Sequence, residues 1–429
     1  MQNERQDIKQ AVLSSLDFSR ETPDEELYTL IDNHILHGGD RRFLTVGERK
    51  RLRKDVFASI RELDILQPLI DDPRVTEIMV NGPEDIFVER DGHISRYEGV
   101  FSSPAKLMDV IQQIVAGCNR VVNEASPIAD ARLADGARAN VVLEPVSVGG
   151  SALTIRRFPV ERITMNKLVS FGALTPYLAS YLQALVRAGY NIFISGGTGS
   201  GKTTFLNALS DYVPDDERVI TIEDNAELQI THVPNIVRME VRKANVEGCA
   251  EITMRDLIKT SLRMRPSRII VGEVRGEEVI DMLQAMNTGH DGSMSTGHAN
   301  SARDMLTRLE TMYLFGMDSV PLSAVRGQIA SGIDIIVHLG RLRDKTRKVL
   351  EIREVTGGVD YTTGEIRTHA LFSFREEKTN EDGKIIGYWK KEEELQSTYK
   401  LKASGICLPP DERGSSGCSE SLTAGTGDQ

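Results

Sequence analysis

The chain has 429 residues, which is enough for two or three domains with full hydrophobic cores. Its 52 basic and 63 acidic residues give a formal net charge of −11, which argues against nucleic acid as the main partner because phosphate backbones bind basic surfaces. The four cysteines lie far apart without a C-x-x-C pair, which disfavours a zinc site or a disulfide framework.

The sequence predicts no membrane-spanning segment. Its start is polar and mixed in charge, unlike a secretory signal. The longest uncharged stretch, 168–186, contains Thr175 and Pro176, a typical helix start that leaves only about a dozen helical residues where a span needs about twenty. We therefore expect a cytoplasmic protein or one that partners hold at a membrane.

Changes in pattern along the chain predict its domains. Residues 1–60 are rich in helix-forming types and include a capping box at Thr45 and Glu48, which predicts a small helical N-terminal region. Short alternating segments then predict an α+β N-terminal domain at 61–160, followed by an interdomain linker at 161–175.

Apolar strands alternate with helices from Pro176 onward, which predicts a doubly wound parallel sheet in an α/β domain at 176–410. Strands are expected at 191–195, 219–222, 269–271, 293–296 and 333–337, with antiparallel edge strands at 348–352 and 365–369. The tail at 411–429 is rich in Ser, Gly, Thr and acidic residues and is expected to be disordered.

A phosphate-binding loop is the most specific chemical motif in the sequence. Residues 196–204 fit the pattern G-x-x-x-x-G-K-[ST] between a predicted strand and a predicted helix, a context that argues against a chance glycine-rich turn. In such a loop Lys202 reaches the β- and γ-phosphates and the Thr203 hydroxyl binds Mg²⁺. The predicted nucleotide-binding residues are Gly197, Thr198, Gly199, Ser200, Gly201, Lys202, Thr203 and Thr204.

Two predicted strands end in acidic residues at the same sheet edge as the loop. Glu273 follows the apolar run 269–271, where it could serve the magnesium ion together with Thr203; an exposed strand-end glutamate is the alternative. Glu223 follows the strand 219–222 and could activate the attacking water, although acids at a helix N-terminus would explain the pattern equally well.

His298 and two arginines complete the candidate catalytic residues. His298 lies where a strand meets the next helix on the same edge and could contact the γ-phosphate, whereas a core histidine is the alternative. Arg138 and Arg156 lie in the N-terminal domain, from which a guanidinium could neutralise the transferred phosphoryl group. Surface arginines on strands are the alternative for this pair.

These elements together resemble the type II/type IV secretion ATPase superfamily. Residues 196–204, 221–228, 270–276 and 288–301 are similar to its Walker A, Asp box, Walker B and His box. Residues 130–140 and 154–158 look similar to the CpaF branch, which drives assembly of Flp or tight-adherence pili. The resemblance spans most of the chain and implies a RecA-like P-loop motor domain.

The resemblance implies a homohexameric ring that hydrolyses ATP with Mg²⁺ to power pilus assembly or protein secretion. Its partners would be platform proteins of the inner membrane, and the ring would lie at the cytoplasmic face of that membrane as a peripheral protein. The catalytic residues that it assigns by position are Glu223, Glu273, His298, Arg138 and Arg156. Which of the two acids activates water differs between members, so that division stays open.

Two other classes of protein compete with a pilus motor. A conjugation-type or DNA-uptake motor would share the ring chemistry and differ in its partners. A P-loop small-molecule kinase would phosphorylate a metabolite as a monomer or dimer and would have no use for the large N-terminal domain.

Overall fold

The computed structural model describes residues 2–16, 20, 22–37, 44–90, 93–118, 120–133, 136–157, 162–242, 250–317, 319–381 and 383–410. The chain divides between Glu161 and Arg162 into two compact units. The tail at 411–429, for which we expect disorder, lies outside the described residues. In the part of the chain that the structure describes, no helix is both long and apolar enough to cross a membrane.

Three helices begin the first unit: α1 Gln2–Ser15, α2 Asp24–His37 and α3 Val46–Arg61. The capping box expected at the start of α3 is present, because Thr45 accepts the N–H of Glu48 and the Glu48 carboxylate accepts the N–H of Thr45. The three helices pack around a small apolar core of their own. Its buried side chains are Ile8, Val12, Leu27, Ile31, Ile35, Leu52, Val56 and Phe57.

The remainder of the first unit is an antiparallel sheet covered by a helix. Its elements are a 3-10 turn Asp64–Leu66, α4 Gln67–Asp71, β1 Val75–Asn81, β2 Ile86–Arg90, β3 His93–Arg96, α5 Pro104–Ala116, β4 Ile128–Arg132, β5 Arg138–Val142 and β6 Ala152–Arg156. The strand order is β3-β2-β1-β6-β5-β4. Leu107, Val110 and Ile111 lie at helical spacing on α5 and are buried in the core that the sheet shares with it.

The segment 161–175 differs from the linker that we expect from the sequence. From Arg162 onward it belongs to the second unit and contains helix α6, Met165–Ser170. Thr164 caps α6 by accepting the N–H of Lys167, and Leu174 is buried in the core of this unit. A helix of six residues is too short to show an apolar period, so sequence pattern could not reveal it.

The second unit alternates helices and strands. Its elements after α6 are α7 Pro176–Arg187, β7 Ile192–Gly196, α8 Lys202–Ser210, β8 Val219–Glu223, β9 Ile236–Glu240, α9 Met254–Ser261, β10 Arg268–Val271, α10 Val279–Asn287, β11 Met294–His298, α11 Ala302–Gly316, α12 Leu322–Gly332, β12 Ile335–Arg341, β13 Arg347–Val359, β14 Ile366–Thr379, β15 Ile385–Lys391 and α13 Tyr399–Ser404.

One sheet runs through the second unit in the order β15-β14-β13-β12-β7-β11-β10-β8-β9. The pairs from β12 to β9 are parallel, and β13, β14 and β15 extend the sheet antiparallel. The predicted α/β class, with a parallel sheet and antiparallel strands beside it, is therefore confirmed. Strands β9 and β15 have no counterpart in the sequence prediction because partly exposed polar residues interrupt their apolar pattern.

Helices cover both faces of this sheet, as the fully buried strand β7 shows. Ile192 and Ile194 pack into a core with α7 and α8, whereas Phe193 packs into a second core with α10, α11 and α12. Alternate residues of a strand point to opposite faces, so both faces must be covered when all of them are apolar. The P-loop follows β7 at the carboxyl edge of the parallel strands.

Candidate nucleotide site

The backbone of the P-loop forms an open turn at the N-terminus of a helix. Strand β7 ends at Gly196 and α8 begins at Lys202, and Gly199 and Gly201 have φ angles of 71° and 92°, which glycine adopts without strain. A Cβ atom added at Gly197 or Gly199 would meet no atom within 4 Å. Helix N-termini with such exposed loops bind anions through backbone N–H groups and the helix dipole.

Lys202 is buried at the base of this loop, with 8% of its surface exposed. Its Nζ donates to the carbonyl oxygens of Gly196 and Gly197, both at 3.2 Å. Burial lowers the pKa of this ammonium group, and Glu273 opposes the shift. Ser200 is buried too, and its Oγ has no hydrogen-bond partner among the described residues. An anion in the loop would supply the charge and the acceptor that these groups lack.

A line of contacts joins Lys202 to Glu273 through His298. Lys202 Nζ lies 3.2 Å from His298 Nδ1, and His298 Nε2 lies 2.7 Å from Glu273 Oε1. The second carboxylate oxygen of Glu273 accepts a hydrogen bond of 2.6 Å from Arg275 Nη2. The structure thus brings together three of the residues that the sequence singles out: the P-loop lysine, the His-box histidine and the Walker B acid.

Donor chemistry fixes the direction of the hydrogen bond between Lys202 and His298. An ammonium group can only donate, so Nδ1 of His298 accepts from Lys202 and the ring proton lies on Nε2, facing Glu273. Burial lowers the pKa of His298; Glu273 acts to raise it and Lys202 acts to lower it further. A neutral imidazole therefore bridges the lysine and the carboxylate.

The order of strands explains why these side chains meet. Strand β11 lies between β7 and β10, and its last residue, His298, pairs in register with Gly196 at the end of β7. Glu273 comes two residues after the end of β10, on the other side of β11. Because parallel strands end at a common edge, His298 lies between the P-loop and Glu273.

Glu223 lies farther from the P-loop. Strand β8 is three positions from β7 in the sheet, and each position adds about 4.8 Å. The Glu223 carboxylate turns back on the chain that follows it, where Oε1 accepts the N–H groups of Glu227 and Leu228, both at 3.0 Å. A Cβ at Gly272 would lie 3.0 Å from Glu223 Cγ, so the side chain also packs against the end of β10. In this structure Glu223 organises the loop at 224–228.

The burial of Glu223 predicts a dependence of stability on pH. Burial raises the pKa of this carboxyl from 4.5 to about 7, although its backbone hydrogen bonds act in the opposite direction. Between these values the folded protein holds a proton that the unfolded chain has lost. The carboxyl therefore contributes stability below pH 4.5, and this contribution is lost as the pH rises through 7.

A Glu223→Gln variant, which does not titrate, tests this pH dependence. We expect its free energy of unfolding, relative to that of the wild type, to be higher at pH 8 than at pH 5 by about 1–3 kcal/mol. Urea unfolding at both values, followed by the fluorescence of Trp389, the single tryptophan of the chain, would measure the difference. An equal offset at the two pH values would contradict a raised pKa.

The remaining predicted site residues lie in both units. Thr203 and Thr204 are half-buried in the first turn of α8, next to Lys202. Arg138 and Arg156 lie opposite each other on β5 and β6 of the first unit, whereas the P-loop belongs to the second. Arg138 is half-buried and Arg156 is exposed. Their contact with a nucleotide stays a prediction.

Two contacts near the loop have no local signal in the sequence. Arg347 of β13 donates its Nε–H to the carbonyl oxygen of Gly199 at 2.8 Å. Ser195 Oγ and His338 Nδ1 lie 2.9 Å apart in the buried layer between β7 and β12, and burial lowers the pKa of His338. Each contact joins residues that are more than a hundred positions apart, so only the folded sheet reveals it.

Residues 60–401 match the model of the family described as "Type II/IV secretion system protein". The chain belongs to this family. The resemblance to the type II/type IV secretion ATPase superfamily is thus confirmed, and membership supports an ATPase activity for the site described above. The narrower resemblance to the CpaF branch stays a prediction.

Three relatives illustrate the similarity of this chain to other proteins. A putative conjugal transfer protein of Mycobacterium tuberculosis is 34% identical over 325 residues, which cover 72% of this chain and 92% of the relative. The conjugal transfer protein TrbB of Rhizobium radiobacter is 34% identical, with 68% and 88% covered. The type IV secretion system protein PtlH of Bordetella pertussis is 32% identical, with 68% and 93% covered.

Two solved structures are also similar to this chain. The VirB11 ATPase of the Brucella suis type IV secretion system, in complex with sulphate, is 28% identical, covers 67% of this chain and 91% of that chain, and has a TM-score of 0.37. The pilus retraction motor PilT with bound ADP is 24% identical, covers 65% and 77%, and has a TM-score of 0.49.

Proposed function

We propose that this chain is a Mg²⁺-dependent ATPase that couples hydrolysis to mechanical work in a pilus-assembly or protein-secretion machine. The observation that carries the proposal is the convergence of Lys202, His298 and Glu273 beside an open P-loop. A lysine that reaches the phosphates and a carboxylate that can orient water are recurring parts of phosphoryl-transfer sites, and His298 lies between the two.

The residues present suit a magnesium ion bound together with nucleotide. In the part of the chain that the structure describes, no cluster of three or more His, Cys, Asp or Glu side chains could hold a metal alone. Magnesium in phosphoryl-transfer sites is held by one or two protein oxygens plus phosphates and water. Thr203 and Glu273 would supply those oxygens, and the ion would neutralise charge that develops on the transferred phosphoryl group.

Each side chain takes a role that follows from its position. Backbone N–H groups of residues 199–203 would bind the phosphates, and Lys202 would exchange His298 for a γ-phosphate oxygen. His298, whose ring proton lies on Nε2, would present that N–H to the phosphate in place of Glu273, and Glu273 would orient the attacking water and accept its proton. Glu223 would support this edge from β8.

Arg138 and Arg156 would neutralise charge on the γ-phosphate. We expect an Arg138→Ala variant to have a lower kcat, and an unchanged kcat would remove Arg138 from that role.

The proposed assembly is a homohexamer that docks on inner-membrane platform proteins at the cytoplasmic face. Light scattering of the full chain with a non-hydrolysable ATP analogue tests the ring, and we expect a mass six times that of the monomer. A stable monomer that phosphorylates a metabolite would instead support the small-molecule kinase.

A conjugation-type motor is the second candidate function. It is favoured by two relatives that are described as conjugal transfer proteins and are 34% identical to this chain. Membrane proteins that copurify with the full chain discriminate between the two. Prepilin and paired platform proteins would support pilus assembly of the CpaF type, whereas a relaxase or a coupling protein would support conjugation.

A further inference from the structure

We infer that Arg275 is a positioning residue for ATP hydrolysis: it holds the Glu273 carboxylate in place and connects it to Asp224 at the end of the neighbouring strand. This inference rests on the proposed function, because it concerns the acid that is proposed to activate water.

The contacts of Arg275 join two acidic strand ends. Its Nη2 donates to Glu273 Oε2 at 2.6 Å, and its Nη1 lies 3.7 Å from Asp224 Oδ2. Glu273 follows β10 and Asp224 follows β8, which are adjacent parallel strands. One guanidinium group therefore lies between the Walker B acid and the Asp-box loop, with a different nitrogen facing each carboxylate.

The backbone around Arg275 is also held in place. Glu278 Oε1 accepts the N–H groups of Arg275 and Gly276, which fixes the turn that leads from β10 toward α10. An arginine side chain is always charged in proteins, so the guanidinium is a permanent cation beside Glu273. A fixed turn and a permanent charge give the arginine a defined direction from which to orient a carboxylate.

Electrostatics explain why a cation is needed at this point. Glu273 Oε2 accepts from Arg275, whereas Oε1 lies 2.7 Å from His298 Nε2 without a hydrogen bond, so Arg275 makes the hydrogen bond that gives the carboxylate its direction. Without the guanidinium, Oε2 would lose its partner and face the charge of Asp224 across the strand ends. The carboxylate would then sample other rotamers. Disorder of a general base lowers kcat more than it weakens the binding of nucleotide.

The exposure of Arg275 makes the inference testable. Its side chain is 62% exposed, so substitution does not open a cavity in the core. We expect Arg275→Gln in the full chain to lower kcat about 10–100-fold, with the Kd for a non-hydrolysable ATP analogue within about threefold of the wild type. Arg275→Lys, which keeps a cation near Glu273, should recover part of kcat. The matched control is Arg187→Gln, an exposed arginine at the end of α7 with no ion pair among the described residues.

A variant of Asp224 tests whether Arg275 positions Glu273 or only stabilises the fold, because the kcat of the double variant distinguishes the two roles. Asp224→Asn should lower kcat about two- to fivefold, and the double variant with Arg275→Gln should turn over at least as fast as Arg275→Gln alone, because Asp224 supports Glu273 only through the arginine and repels it once the arginine is gone. Wild-type kcat in Arg275→Gln, or equal losses of kcat and nucleotide affinity, would overturn the inference. Additive losses in the double variant would overturn the link to Asp224. A wild-type chain without ATP turnover would instead refute the proposed function.

Discussion

A Lys202→Ala variant is expected to lose ATP turnover, with kcat/KM falling about 100-fold or more. Lys202 is the positively charged side chain of the P-loop and would lie beside the phosphates of a bound nucleotide; its Nζ contacts two carbonyl oxygens and His298. Phosphate release from ATP at fixed enzyme concentration measures the effect.

The loss of ATP turnover in this variant should come from the missing ammonium group and not from unfolding of the protein. Burial lowers the pKa of Lys202, so its removal relieves the cost of keeping a charge at a buried position, but it also removes two hydrogen bonds to carbonyl oxygens. A cooperative thermal transition of the variant, followed by circular dichroism, checks that it is folded. Lys378→Ala, at an exposed position on β14, is the matched control and should retain turnover. Turnover in Lys202→Ala near that of the control would exclude the P-loop as the hydrolytic site.

A Glu273→Gln variant is expected to bind nucleotide and to lose hydrolysis, with kcat falling about 100-fold or more. Glutamine preserves the size of the side chain, and its single amide oxygen can still accept from Arg275 Nη2, whereas its NH2 group cannot accept from His298. It cannot accept a proton from water at neutral pH. Single-turnover hydrolysis together with binding of a fluorescent ATP analogue separates the two effects.

Two comparisons make this result specific. Glu376→Gln, which removes a surface carboxylate paired with Arg343, should leave turnover unchanged. Glu223→Gln should lower kcat less than Glu273→Gln does, because β8 lies two strands beyond the His298 strand in the sheet. A larger loss in the Glu223 variant would reverse the roles of the two acids.

Local patterns account for the part of this site that the sequence predicted. The P-loop follows from a short buried strand, a glycine-rich turn and a helix start, all within residues 191–205, and φ angles of 71° and 92° occur at two of its glycines. Apolar runs likewise marked the parallel strands, because such strands are buried on both faces. Strands β9 and β15 escaped prediction because partly exposed polar residues occupy their faces.

What the sequence determined by itself was the chemistry available: a phosphate loop, two acidic strand ends and a histidine, each on a segment of recognisable pattern. Only the tertiary structure decided which of these groups meet. Lys202 and His298 are 96 positions apart, and the order β7-β11-β10-β8 places His298 and Glu273 beside the loop and Glu223 farther away. The physical reason is that neighbours in a parallel sheet are chosen by hydrogen bonding and core packing between distant segments, which leave no periodicity within any one of them.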